Sequence, residues 1–326
     1  MVDRLKLAKS IVEDQLRNGT GIVGAFVAGS VARGEATQTS DIDVALVVDG
    51  EYDTAGRDNL DMWKQGIYIE FPLFPKQQYA DVEKVLHNSV TATHVNDALI
   101  LYDPEGFLTE LQQRVRAVFM EPKWVGVRVG NAIDYSREAM SAWNEALEAD
   151  DLAAVCEHAG MVMMRCVSAC LLRIGVTPSG TRSLEQLGKN FGELKERLCD
   201  LEVATTMTPE DVVAANSVFV KCVPFLPPEM GCLAEYTVKK LEWMARNELH
   251  REAIHTLWVC IGRIVTICRK RNDVTVVEKA LAVGREWLQA VGWVGETVLQ
   301  EKLKMGKTIL EEVEASAVDL LQARNT

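Results

Sequence analysis

Two aspartates one residue apart are the residues of this sequence best suited to chemistry. Asp41 and Asp43 lead into the apolar run 44–48, which is typical of a buried strand. Because alternate residues of a strand lie on the same face, both carboxylates are predicted to project together. Two such charges repel each other unless a cation lies between them, and Mg²⁺ suits an all-oxygen site that retains water. The sequence therefore predicts a magnesium site at Asp41 and Asp43.

A phosphate-binding turn is predicted shortly before the aspartates. An apolar run ends at Gly29 and Ser30; the glycine permits close backbone approach, and the serine can donate through its N–H and its hydroxyl. Residues 31–34 can form a helical turn whose free N–H groups attract anions. Arg33 and Ser40 are further candidate phosphate contacts. A phosphate site beside a carboxylate pair predicts binding of a metal-bound nucleoside triphosphate.

The order of these two groups resembles the signature of a known superfamily. A Gly-Ser pair (29–30) followed by Asp-x-Asp (41–43) is similar to the pattern of the polymerase-beta-like nucleotidyltransferases. The resemblance implies a third carboxylate on an adjacent strand, and Glu70 in the segment 63–71 is the candidate. In that predicted strand Glu70 shares a face with Tyr68. An outward-facing surface residue is the alternative interpretation of Glu70.

Within this superfamily the layout resembles the aminoglycoside nucleotidyltransferases of the kanamycin type. The similarity includes a Trp-Lys pair (63–64) before Glu70 and the segment Ile-Leu-Tyr-Asp-Pro (100–104), and it covers about residues 10–150. It implies transfer of a nucleoside monophosphate, AMP from ATP, to a hydroxyl of a small polar acceptor such as an aminoglycoside, with release of pyrophosphate. Two Mg²⁺ ions, ATP or another NTP as substrate, and a homodimer are implied in the same way.

The resemblance also implies a glutamate that accepts the proton of the acceptor hydroxyl. In the kanamycin type this residue lies on the first long helix after the catalytic domain. Counting from residues 102–104, the comparable position is Glu138. Asp134 and Glu145 lie on or near the same helical face, so the choice among the three stays open. Simple solvation of an exposed helix face is the alternative for Glu138.

Two other functions stay open at this level. One is AMP transfer onto a protein, as in nucleotidyltransferase antitoxins. The other is a non-catalytic nucleotide-binding or interaction module. Three mutually repelling carboxylates argue against the second, because a protein that has lost its activity has no need to keep them.

Composition limits the classes of partner and location. The net charge of -12 disfavours broad binding to nucleic acid, which needs clustered Lys and Arg. It suits a cationic acceptor, and solubility alone is the alternative reason for such acidity. The eight cysteines include no Cys-x-x-Cys pair, which favours reduced thiols in a cytoplasmic protein. No signal peptide is expected at the N-terminus. The longest apolar stretches are interrupted by arginines, so no membrane span is expected.

Hydrophobic periodicity predicts an α+β protein, with strands and helices in its first part and helices throughout the rest. The resemblance implies that the first part is a small mixed-sheet nucleotidyltransferase domain, followed by an all-helical domain. We place the catalytic domain at 1–120 and an all-helical acceptor-binding domain at 121–326, with the boundary at Glu121-Pro122. Predicted elements of the first domain are a helix at 4–17, the strands around residues 26 and 44, a polar connection at 51–62, a strand at 66–73, a strand or its approach at 94–101, and a helix from 107. Beyond the boundary, helices are predicted at 123–149, 151–174, 183–188, 191–202, 209–222, 232–247, 250–271, 274–290 and 294–323.

Overall fold

A computed structural model describes residues 3–18, 21–50, 61–180, 182–226, 231–269 and 274–324. A small mixed sheet lies in the N-terminal part of the chain and helices make up the remainder, which confirms the predicted α+β class. The strands are β1 (Ile22–Val27), β2 (Ile42–Val48), β3 (Met62–Lys64), β4 (Ile67–Glu70), β5 (Leu73–Pro75) and β6 (Leu99–Tyr102). The helices that accompany them are α1 (Arg4–Asn18), α2 (Gly29–Ala32), α3 (Val82–His87), α4 (Ser89–Asp97) and α5 (Phe107–Val118).

Strand β2 is the centre of the sheet. It pairs antiparallel with β1 over residues 44–48, parallel with β4 at its start and parallel with β5 at its end. Strand β6 extends the sheet beyond β1, and β3 extends it beyond β4. A strand with neighbours on both sides and helices over both faces is apolar almost throughout, as the run 44–48 predicted.

The two faces of the sheet carry separate apolar clusters. Ile42, Val44 and Leu46 of β2 pack with the apolar face of α1. Ala45 and Val47 face the other way and pack with a cluster that includes residues of α3, α4 and α5. This alternation follows from the two-residue period of a strand. It also decides the side on which the polar residues at the start of β2 project.

In place of the single strand predicted at 66–73 there are two short strands, β4, which forms a hairpin with β3, and β5. Strands β3 and β4 are joined by Gln65 and Gly66, which both have positive φ, as the tight turns of twisted hairpins require. Pro72 has no N–H to donate, and its carbonyl oxygen accepts a hydrogen bond from Leu46 N at 3.0 Å where β4 gives way to β5. Of the predicted polar connection, residues 51–60 lie outside the described residues.

The prediction of a strand or its approach at 94–101 is wrong for its first half. Residues 89–97 form α4, whose first turn is capped by the side chain of Asn88, which accepts from Thr91 N. At the other end of α4, the amide of Gln112 in α5 donates to the carbonyl oxygens of Val95 and Ala98, each at 2.8 Å. Because the bonds from Gln112 come from a different helix, the local sequence did not reveal them.

Contacts divide the chain into two compact units, one ending at Arg128 and the other beginning at Val129. The division falls inside α6 (Pro122–Glu148), a helix that continues through it. The boundary that we placed at residues 121–122 stays a prediction.

The second unit is helical throughout its described elements, and the helices lie close to their predicted positions. They are the remainder of α6 with α7 (Leu152–Arg173), α8 (Ser183–Gly188), α9 (Gly192–Leu201), α10 (Pro209–Cys222), α11 (Gly231–Arg246), α12 (His250–Arg269), α13 (Val274–Ala290), α14 (Glu296–Ala315) and α15 (Val318–Ala323). The single helix predicted at 294–323 is therefore two helices. At the break the hydroxyl of Ser316 donates to the carbonyl oxygen of Val313, a local bond that competes with helix continuation.

Helix α7 is the central helix of this unit. Among the described helices it alone is long and apolar enough to cross a membrane by length and composition. However, most of its apolar segment is buried inside the protein, as in a core helix. Gly160 permits close packing, because a Cβ there would lie 2.9 Å from the carbonyl oxygen of Trp258 in α12.

Candidate active site

The start of β2 places its two aspartates on one side of the sheet. Asp41 immediately precedes the strand and Asp43 is its second residue, while Ile42 between them is fully buried against the α1 side. Both aspartates are only partly buried. The pleat therefore directs the two carboxylates away from α1 and leaves them open to solvent.

Glu70 reaches the same place from the neighbouring strand. In the parallel pairing of β2 with β4, Glu70 lies opposite Asp43, and the buried Ile69 lies opposite Ile42. Oxygen atoms of Asp41, Asp43 and Glu70 all lie within 4.8 Å of one another. Among the described residues this is the one group of acidic, histidine or cysteine side chains with that spacing. Three converging carboxylates form a donor set that fits a hard divalent cation such as Mg²⁺.

Gly29 gives the Asp43 carboxylate the space that it occupies. Its φ of +65° is a conformation that side chains disfavour, and a Cβ at this position would lie 2.0 Å from Oδ2 of Asp43. The adjacent Ala28 N–H donates to the carbonyl oxygen of Asp43 at 2.9 Å. Glycine is therefore required for two independent reasons, the backbone angle and the contact.

The predicted phosphate-binding turn is helix α2, which begins at Gly29, two residues earlier than predicted. Its N-cap residue, Ala28, supplies no side-chain hydrogen bond to the helix. The first N–H groups of a helix have no partner within it, and they carry partial positive charge. Ser30 is partly exposed at the second position of α2, and its carbonyl oxygen accepts from Glu35 N at 2.8 Å. This turn can bind an anion beside the carboxylates.

The other two candidate phosphate contacts are engaged within the protein. The Arg33 guanidinium contacts Glu35 at 3.0 Å and Asp97 at 3.5 Å, and its side chain is 17% exposed. The Ser40 hydroxyl accepts from Thr37 N at 2.8 Å. In this structure Arg33 thus holds α2 to α4, and Ser40 closes the turn that leads into Asp41.

Two residues that the sequence did not single out support this site. Asp61 accepts hydrogen bonds from the Tyr68 hydroxyl at 2.6 Å and from Phe71 N at 3.0 Å, on either side of Glu70 in the chain. Burial, followed by the hydrogen bond to Asp61, raises the pKa of Tyr68, so the phenol remains a donor. Arg4 binds the turn before Asp41 through two main-chain carbonyl oxygens.

Arg4 had a signal in the sequence, whereas Asp61 had none. Arg4 lies one helical turn before Leu7 and Ala8, on the apolar face of α1, where an arginine is unexpected. Asp61 bonds across a hairpin that local periodicity did not predict.

The candidate general base belongs to the second unit. Glu138 is exposed on α6. Asp134 is engaged by Arg137 at 2.9 Å and by Arg324 at 2.8 Å, and Glu145 accepts from the Ser141 hydroxyl at 3.2 Å. Glu138 is thus the least engaged of the three carboxylates, and its role stays a prediction.

Comparison with known proteins finds a family that matches the first part of the chain. Residues 6–135 match the nucleotidyltransferase domain family. No curated protein sequence matches the chain. Among solved structures, a nucleotidyltransferase-like protein from Exiguobacterium sibiricum 255-15 aligns over 87% of this chain and 90% of its own, with 10% identity and a TM-score of 0.35. The matched residues 6–135 include α2 and all three carboxylates. Over residues 6–135 the chain is therefore similar to the polymerase-beta-like nucleotidyltransferases, and this similarity supports a transferase enzyme.

Proposed function

We propose that the protein transfers a nucleoside monophosphate, AMP from ATP, to a hydroxyl of a small polar acceptor such as an aminoglycoside, and that it releases pyrophosphate. The observation that carries the proposal is the convergence of Asp41, Asp43 and Glu70 within 4.8 Å, next to the uncapped turn at Gly29. The carboxylates repel one another, so the arrangement is suited to divalent cations.

The three carboxylates have distinct proposed roles. Asp41 and Asp43 would hold two Mg²⁺ ions, and Glu70 would hold only the ion on the acceptor side. When bound, such ions stabilise the negative charge on the entering and leaving oxygens of phosphoryl transfer. The protein keeps these carboxylates ready on two paired strands, so their positions are set by the hydrogen bonds of the sheet.

The chain's own donors bind the triphosphate in this proposal. Ser30 and the first N–H groups of α2 hold the β- and γ-phosphates. Because Gly29 has no side chain, the backbone of this turn can lie close to Asp43. Arg33 contributes a phosphate contact by exchanging Glu35 or Asp97 for the ligand. Ser40 contributes through the shape of the turn that it closes.

The acceptor hydroxyl attacks the α-phosphorus, the bond to the bridging oxygen breaks, and pyrophosphate leaves. Glu138 is the proposed group that takes the hydroxyl proton, and the helical region is proposed to supply the acceptor pocket. The net charge of -12 favours a cationic acceptor over a nucleic acid. A homodimer and a cytoplasmic location complete the proposal; the seven cysteines whose state is described are all free thiols, which supports the location.

The test is a screen of aminoglycosides and other polyols with each NTP and Mg²⁺, followed by pyrophosphate release. NTP labelled at the α-phosphate identifies the product. Label on a small hydroxyl compound is the expected result. Label on a tyrosine or threonine of a partner protein, with polyols untouched, would replace it with protein AMP transfer. Tight ATP binding without pyrophosphate across the whole panel would replace it with a non-catalytic module.

A further inference from the structure

The structure assigns Arg4 as a positioning residue that holds the Asp41 end of the carboxylate site from the opposite side of the sheet. This inference rests on the proposed function, because it concerns the same three carboxylates. Arg4 belongs to α1 and is neither one of the predicted carboxylates nor one of the predicted phosphate contacts.

The contacts of Arg4 are made with the backbone of the turn before Asp41. Its side chain is buried, with the residue 9% exposed. Nε donates to the carbonyl oxygen of Ser40 at 3.1 Å, and Nη2 donates to the carbonyl oxygen of Gln38 at 2.7 Å. Hydrogen bonds from a charged donor are stronger than those between neutral groups, and burial increases the cost of losing them.

Helix α1 provides a rigid anchor for these bonds. Its residues Leu7, Ala8 and Ile11 pack with Val44 of β2 in one buried cluster. The turn at 37–40 has internal bonds, from Thr37 N to the Ser40 hydroxyl and from Ser40 N to Thr37 O, but these only close the turn on itself. Arg4 joins the turn to the helix, and through the helix to β2.

The bond to Ser40 acts directly on the orientation of Asp41. The carbonyl oxygen of Ser40 and the nitrogen of Asp41 belong to the same planar peptide unit. A hydrogen bond that holds this oxygen therefore also fixes the orientation of the backbone at Asp41. Arg4 approaches from the side of α1, whereas Asp41 and Asp43 project to the other side of β2. Arg4 is therefore a group that acts through Asp41, and its positive charge also offsets part of the repulsion among the carboxylates.

The experiment compares Arg4→Met, Arg4→Lys and Arg17→Met. Arg17 is the matched control, since it lies on the same helix, is 69% exposed and contacts only Glu13 and Asp14 among the ion pairs of the structure's described residues. Mn²⁺ binding without nucleotide, followed by electron paramagnetic resonance, measures the carboxylate site independently of turnover. Pyrophosphate release gives kcat and the KM for ATP.

We expect Arg4→Met to weaken Mn²⁺ binding and to lower kcat, each by about 10–100-fold, while the KM for ATP stays within about threefold of wild type because α2 is untouched. Arg4→Lys keeps the charge but lacks the two-pronged geometry, so it should recover only part of both losses. Arg17→Met should match wild type in both measurements.

Wild-type Mn²⁺ affinity and kcat in Arg4→Met would overturn the inference. Should Arg4→Met fail to fold, Arg4→Lys decides, because unchanged Mn²⁺ affinity and kcat in a folded lysine variant overturn it as well. A wild-type protein that binds no Mn²⁺ and releases no pyrophosphate would instead overturn the proposed function, and the inference with it. The two failures are thus distinguished by the behaviour of the wild type.

Discussion

The carboxylate cluster of the first unit and a buried glutamate of the second unit have contrasting surroundings. In the first unit Asp41, Asp43 and Glu70 gather like charges within 4.8 Å and leave them partly exposed. In the second unit, the carboxylate of Glu202 is paired with the imidazole of His255, and Oε1 of Glu202 lies 2.5 Å from Nδ1 of His255. Both side chains are buried, with 0% of Glu202 and 4% of His255 exposed. Grouped like charges are suited to a divalent cation, whereas in the buried pair the imidazole is the partner of the carboxylate.

The pair of Glu202 and His255 has the properties of a structural contact. Burial lowers the pKa of His255, but Coulombic attraction to Glu202, their hydrogen bond and the charge of Glu252 outweigh it, and the pKa is raised. The Trp258 indole also donates to the carbonyl oxygen of Glu202 at 3.4 Å. We interpret this pair as a contact that holds α12 in the helical core.

The largest expected effect is loss of turnover when one carboxylate of the site is neutralised. Asp43→Asn should lower pyrophosphate release at least about 1000-fold, because several kcal/mol of charge stabilisation depend on the carboxylates and each 1.4 kcal/mol is tenfold. Thermal stability should stay equal or rise, since one repelling charge is removed. Asp49→Asn just beyond the other end of β2 is the control. Retention of most activity in Asp43→Asn would contradict a metal role.

The next effect tests whether the helical unit contributes to chemistry at all. Glu138→Gln should lower kcat by about 100-fold with little change in the affinity for ATP, as expected for loss of a general base. Glu145→Gln, which also removes a charge from an exposed part of α6, is the comparison. If Glu145→Gln shows the loss instead, the base lies two turns further along α6.

A smaller effect distinguishes backbone strain from contact in the turn. Gly29→Ala should lower kcat by about 10–100-fold, because its Cβ would lie 2.0 Å from Oδ2 of Asp43 and displace a proposed metal ligand. Gly34→Ala has a similar positive φ, of +70°, but meets no atom within 4 Å. It should lose only about 1–2 kcal/mol of stability and keep its kcat. Equal kcat values in the two variants would show that contact with Asp43 does not matter.

The smallest effect on catalysis, and a clear one on stability, is expected at His255. His255→Ala should cost about 3–5 kcal/mol of unfolding free energy at pH 6, because Glu202 would be left buried without its partner. A raised pKa means that the contribution of His255 is fully present below its unfolded pKa of about 6.5 and is lost as pH rises through the higher folded value. Urea unfolding of both proteins at pH 6 and pH 9 measures this. A gap between wild type and variant that widens with pH would contradict the assignment.

Local patterns were sufficient for much of the fold. The period of two in β2 placed Asp41 and Asp43 on one face, and the period of 3.6 located most helices of the second unit. The prediction failed at 94–101, where Gln112 from another helix satisfies the end of α4. It also missed the hairpin before Glu70, whose turn uses positive φ at Gln65, a residue with no special preference for it.

The sequence by itself determined that this chain has two carboxylates on one strand start, a glycine-serine turn before them and a long helical region after them, because each depends on neighbours within a few residues. Only the tertiary structure decided that Glu70 lies opposite Asp43, that Arg33 contacts Glu35 and Asp97, and that Arg4 binds the turn before Asp41. These contacts join residues 27 to 64 positions apart or depend on the choice among several partners. Packing of the whole unit decides which of these residues meet, and local periodicity carries no information about that packing.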